Sequence, residues 1–118
     1  MNTFIVALLF NLQLQVGYQI TDHEIQFEFP SMNPNLTVFV SGNFNGWVKD
    51  EDSWKMTYND KFKAYQLTKS LGDIKKKNQS FYEFTFRVDG ELIDADPTSP
   101  NVINCPGYGH RYIVKGMR

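Results

Sequence analysis

Cysteine and histidine are nearly missing from this chain: Cys105 stands alone, and His23 and His110 are the only imidazoles. One thiol excludes an internal disulfide and any multi-cysteine zinc site, and two histidines leave a His/Cys metal cluster short of donors. Cys105-Pro106 reads as a free thiol. A nucleophilic cysteine needs a histidine partner, which the spacing from Cys105 to His110 does not by itself establish. Charge of one sign is missing too, since 12 basic residues face 13 acidic ones for a net charge of −1. Such a balance gives no electrostatic footprint for nucleic acid or for an anionic membrane. The one basic run, Lys75-Lys76-Lys77, reads as a solvated loop.

Long apolar runs are absent as well. "FIVALLF" (4–10) is seven residues long, too short to span a bilayer, so no membrane span is expected. It has the look of a signal-peptide apolar region, yet no Lys or Arg precedes it and "NLQLQVGYQ" has no small-x-small cleavage site. Residues 1–20 are therefore read as an apolar N-terminal segment, either a signal peptide or an extra strand, and residues 21–118 as one β-domain. Cytoplasmic and secreted locations stand at even odds. Two glycosylation-type triplets, Asn35-Leu36-Thr37 and Asn78-Gln79-Ser80, decide little among ten asparagines. No internal repeat and no sustained helical period is visible.

Aromatics are plentiful: ten Phe, six Tyr and two Trp among 118 residues. They fall at alternate positions, as strands require. "HEIQFEF" (23–29) puts Ile25, Phe27 and Phe29 on one face. "LTVFVS" (36–41) turns Leu36, Val38 and Val40 inward. "WKMTY" (54–58) groups Trp54, Met56 and Tyr58, predicting a buried Trp54, and "FKAYQLT" (62–68) buries Tyr65 and Leu67. Leu71 to Asn78 reads as a polar loop. In "FYEFTFRV" (81–88), Tyr82, Phe84, Phe86 and Val88 face in, while Phe81, Glu83, Thr85 and Arg87 face out. Asp89-Gly90 signals a hairpin returning through "ELID". A long loop over residues 96–109 and a closing strand "HRYIVK" (110–115) finish the chain. Six to eight short strands with turns every 8–12 residues predict an all-β fold, an antiparallel immunoglobulin-like β-sandwich.

The stretch "GNFNGW" (42–47) mixes turn formers with two large aromatics. Trp47 closes the turn, so it either plugs the core or is presented to a ligand.

Three blocks occur in order, "VFVSGNFNGW" (38–47), "FYEFTFRVDG" (81–90) and "DPTSP" (96–100), completed by "GYGHRYIV" (107–114). Over residues 23–116 the chain resembles the glycogen-binding module of the AMP-activated protein kinase β subunit, an early-set domain of carbohydrate-binding module family 48. The same module fronts α-glucan branching and debranching enzymes. The resemblance implies a β-sandwich and a non-catalytic domain that binds α-1,4-linked glucans such as glycogen or starch, with no cofactor. Trp47 matches the family's sugar-stacking tryptophan, whose indole would cover the C–H face of a pyranose.

The other contact positions differ from the family. Leu92 stands where a second stacking tryptophan is usual, Thr85 where a lysine is, His110 where an asparagine is, and Pro106 where a leucine is. Arg87, Glu83 and His110 could supply hydrogen bonds, and Tyr108 could replace the missing ring. Losing one stacking platform costs on the order of 1–3 kcal/mol, or ten- to a hundredfold in affinity, so binding is expected to be weak or altered in specificity. The family's module sits beside a catalytic or scaffold region, which implies a protein partner carrying a catalytic domain. Two other readings compete: a protein-interaction domain with a decayed sugar site, and a small glycan-active enzyme using Asp94 and Asp96.

Overall fold

The computed structural model describes residues 16–76 and 79–115. The apolar run at 4–10 lies outside these residues, as do Lys77 and Asn78. Two antiparallel sheets carry the fold. The first holds β1 (Gly17–Thr21), β2 (Glu24–Pro30), β5 (Ala64–Ser70) and β4 (Thr57–Asn59), in the spatial order β1-β2-β5-β4. The second runs β3 (Val38–Gly42), β6 (Glu83–Val88), β9 (Gly109–Ile113) and β8 (Val102–Cys105), with β7 (Glu91–Leu92) paired to β6.

The period-two pattern explains the core. Ile25 and Phe27 point from one sheet, and Val38, Val40, Phe84, Phe86 and Tyr112 from the other, all essentially without solvent contact. Their rings interlock: Phe27 meets Phe84 edge-on at 4.9 Å, and Phe84 stacks on Tyr112 at 5.1 Å. Each such side chain contributes about 1.5–3 kcal/mol by leaving water, and the edge-to-face geometry adds to it. Trp54 and Tyr65 are buried as the alternation predicts, and Leu67 lies half-buried against the same cluster.

Several boundaries differ from the sequence expectation. β1 crosses the division drawn between residues 20 and 21, and Tyr18 and Ile20 lean on the core. Trp54 ends a 3-10 turn (Asp52–Trp54) instead of opening a strand; Lys55 makes an isolated bridge to Phe39, and β4 begins at Thr57. The expected loop after Ser70 starts as one helical turn, α1 (Leu71–Ile74), because Ser70 caps it by accepting from the Gly72 amide and Ile74 drops into the core. The expected loop over 96–109 contains β8, whose register to β9 runs from Val102↔Tyr112 to Cys105↔Gly109. The Asp89-Gly90 turn holds as read. Both residues have positive φ (49° and 90°), the signature of a primed hairpin turn.

One polar residue sits badly. Glu28 is 2% exposed; its Oε2 accepts from Gln66 Nε2 at 2.7 Å, while Oε1 has no donor among the described residues. Burial pushes this carboxyl above its ordinary value, and the Gln66 bond only partly opposes that. With the folded-state value raised, the native chain holds the proton longer than the unfolded chain. Stability therefore falls as pH rises from the ordinary value of 4.5 through the raised one. Glu28→Gln is expected to flatten that fall and to leave the protein at least as stable at neutral pH, as checked by thermal melts from about pH 4 to about pH 8. A variant that melts lower across the whole range would contradict this account.

Candidate functional site

The Trp47 loop is built by hydrogen bonds that the "GNFNGW" sequence itself provides. Phe44 plunges into the core, 2% exposed, against Phe27, Trp54 and Phe84. Asn45 then braces the turn from both ends: its Oδ1 accepts from the Gly42 amide and its Nδ2 donates to the Val40 carbonyl, each at 3.0 Å. The Gly42 carbonyl accepts from the amides of Asn45 (3.2 Å) and Trp47 (2.9 Å). Gly42 must be glycine, since an added Cβ would stand 2.5 Å from the Glu83 carbonyl and 2.7 Å from Phe84 Cβ. On the far side, the Val48 carbonyl accepts from Ser41 Oγ at 3.0 Å and from Arg87 Nε at 3.3 Å.

These bonds hold Trp47 in a left-handed backbone conformation, φ 56°. For a bulky side chain that costs about 1–2 kcal/mol, which the surrounding bonds must offset. The indole is half-buried and lies outside the core cluster. It reaches the outer face of the β3-β6-β9-β8 sheet, where the Arg111 guanidinium lies over its ring at 5.4 Å from the centroid.

There it borders a cavity of about 360 Å³ lined by Trp47, Glu83, Leu92, Cys105, Tyr108 and Arg111. That volume lies at the small end of the ~300–1,000 Å³ typical of ligand pockets. Leu92 comes from β7 and is half-buried. Tyr108 sits on the turn that joins β8 to β9, 75% exposed, where its amide donates to the Cys105 carbonyl at 2.8 Å. Cys105 Sγ approaches Glu83 Oε1 at 3.6 Å. Burial pushes this thiol up, Glu83 pushes it further, and Arg111 pulls the other way. Cys105 is therefore a thiol at neutral pH and a poor nucleophile.

Of the six residues assigned from the sequence, the cavity gathers Trp47, Leu92 and Tyr108. The other three are placed elsewhere. Thr85 does face away from the core, yet it is fully buried, because residues 93–95 pass between β6 and β9 and cover it. The Ile93 amide donates to the Phe86 carbonyl, the Thr85 hydroxyl to the Ile93 carbonyl at 2.8 Å, and the Ala95 amide to the His110 carbonyl. Arg87 is taken up by the scaffold, with Nε on Val48 and Nη1 donating to the Gly90 carbonyl at 3.3 Å. His110 falls on the Tyr112 side of β9, opposite the cavity, with its Nδ1 3.6 Å from Asp94 Oδ2. Arg111 is what the sequence reading missed. The alternation of "HRYIV" does put it on the face opposite Tyr112, which was the available signal.

The two carboxylates weighed for catalysis do not form a pair. Asp94 neighbours His110, while Asp96 Oδ1 accepts from the Thr98 amide and hydroxyl, bonds that hold its carboxyl below the usual range. Among the described residues no group of His, Cys, Asp or Glu could hold a metal ion, and no helix is long and apolar enough to cross a membrane.

Asn45→Ala would leave the Gly42 amide and one bond to Val40 unmade, so a loss of about 1–3 kcal/mol in urea unfolding is expected, together with a weaker near-UV signal from Trp47. A change below about 0.5 kcal/mol would show that Asn45 does not brace the loop.

Comparison with known proteins finds no protein-family model and no curated protein that matches the chain.

Proposed function

We propose that this domain is a non-catalytic carbohydrate-binding module for α-glucans of the glycogen or starch type, with altered affinity or specificity relative to the modules it resembles. The observation that carries this reading is the strained, braced Trp47 bordering a small cavity instead of filling the core. An indole held before the ligand arrives loses little entropy on binding, and its apolar surface suits the C–H face of a sugar. Leu92 and Tyr108 border the same cavity, so the missing second tryptophan is offset by an aliphatic wall and a solvent-facing phenol. Catalysis has little support: Asp96 is committed to a turn, and the cavity holds a single carboxylate, Glu83.

A second reading, a protein-interaction domain on the same scaffold, is favoured by one feature. Among the described residues β8 is the outermost strand of its sheet and leaves Ile103 43% exposed, a surface that another chain could extend.

Affinity electrophoresis through glycogen or amylose separates the two. The wild-type chain is expected to be retarded, and Trp47→Ala to lose about tenfold or more in affinity with its melting behaviour little changed. Equal migration of both proteins, with or without polysaccharide, would overturn the glucan reading.

A further inference from the structure

Arg111 is 8% exposed, yet it has only one hydrogen bond among the described residues, from Nη1 to the His110 carbonyl at 3.1 Å. A guanidinium carries five N–H donors, and a buried one is normally matched by a carboxylate or by several acceptors. Among the described residues the ion pairs are Lys63–Asp60 and His110–Asp94, and no carboxylate pairs with Arg111. The Trp47 ring compensates part of its charge, worth about 0.5–2 kcal/mol. None of its nitrogens is both buried and unpartnered, so the remaining donors keep access to solvent, and Arg111 lines the cavity.

Glu83 stands across from it. The register pairs Glu83 with Ile113, so the alternation of β9 puts Arg111 on the same outer face as Glu83. Among the described ion pairs there is none between these two side chains, and both line the cavity. Glu83 Oε1 meets the Cys105 thiol, while Oε2 has no protein donor among the described residues.

Resting on the glucan reading above, we propose that Arg111 and Glu83 form a donor–acceptor pair that grips adjacent hydroxyls of an uncharged sugar ring lying against Trp47. A hydroxyl both donates and accepts, so one hydroxyl oxygen can accept from the guanidinium N–H groups while the adjacent hydroxyl donates to Glu83 Oε2. One cation and one anion facing each other leave the cavity without net charge. For an anionic sugar the gain at Arg111 is offset by repulsion at Glu83, which leaves the cost of stripping water from its carboxylate uncompensated, so the pair favours neutral rings. Arg111 has a second task, since its stacking helps fix the indole. Glu83 has none toward Trp47, which makes it the cleaner probe.

The test is an NMR titration of the intact chain, following the Trp47 indole signal, with maltotriose and with methyl α-glucoside and methyl α-glucuronide. These last two differ only in a neutral or carboxylate group at C6. Wild type is expected to bind maltotriose and to prefer the glucoside over the glucuronide. Glu83→Gln and Arg111→Met are each expected to weaken maltotriose binding at least about tenfold, with the free Trp47 signal unmoved in Glu83→Gln. Should Arg111→Met fail to fold, Glu83→Gln and the glucoside–glucuronide preference still decide. Unchanged affinity in Glu83→Gln, or tighter binding of the glucuronide, would overturn the pairing while leaving the Trp47 reading intact. No binding of maltotriose by wild type would overturn both.

Discussion

The side chain of Asn45, bonded at once to the Gly42 amide and the Val40 carbonyl, is the constraint from which the site follows. A six-residue stretch carries a core anchor and an aromatic outside the core only three peptide planes apart, and only a sharply folded backbone can send them in different directions. Phe44 fixes the loop to the hydrophobic core. Asn45 closes the reversal, and the left-handed pair Gly46 and Trp47 turns the chain outward. The strain at Trp47 persists because its neighbours over-determine it: Gly42, Ser41 and Arg87 all bond to the backbone on either side.

The rest of the cavity depends on how the second sheet splays. β6 and β9 pair at only two positions, Glu83↔Ile113 and Phe84↔Tyr112, before residues 93–95 separate them. That intrusion seals Thr85 beneath Ile93 and brings Leu92 to the cavity rim. Arg111 from β9 and Glu83 from β6 face one another, with the Cys105 thiol beside the carboxylate. Thr85 is thus covered, while the neighbouring strand β9 brings the Arg111 guanidinium to the cavity.

The two-sheet architecture was legible because burial on one face of a strand writes itself as alternation, and "EIQFEF" and "FYEFTFRV" alternate without interruption. Trp54 was correctly read as buried for the same reason. β8 was hidden because a short outer strand inside "DPTSPNVINCPGYG" is swamped by prolines and glycines, the strongest turn signals in the chain. α1 was hidden because a single turn has no period to detect, and only Ile74 marks its inward face. At the site, the turn chemistry of "GNFNGW" left Trp47 either plugging the core or facing out, and it was the family resemblance that singled it out; the ring stands outside the core cluster and borders the cavity. Arg111 was missed because its role comes from the register between β9 and β8 and from its stacking on a loop more than sixty residues earlier, neither of which a linear pattern records. Arg87 and His110 show the reverse error: polar residues on the right strands whose side chains are taken by the protein itself.

The account stands or falls on whether the Trp47 indole is fixed before any ligand arrives. Its backbone-like rigidity can be read from 15N relaxation of the indole Nε1–H in the free protein. A braced ring predicts an order parameter near ~0.85, comparable to that of the buried Trp54, whereas a value below ~0.6 would describe a freely swinging side chain and contradict a preformed site.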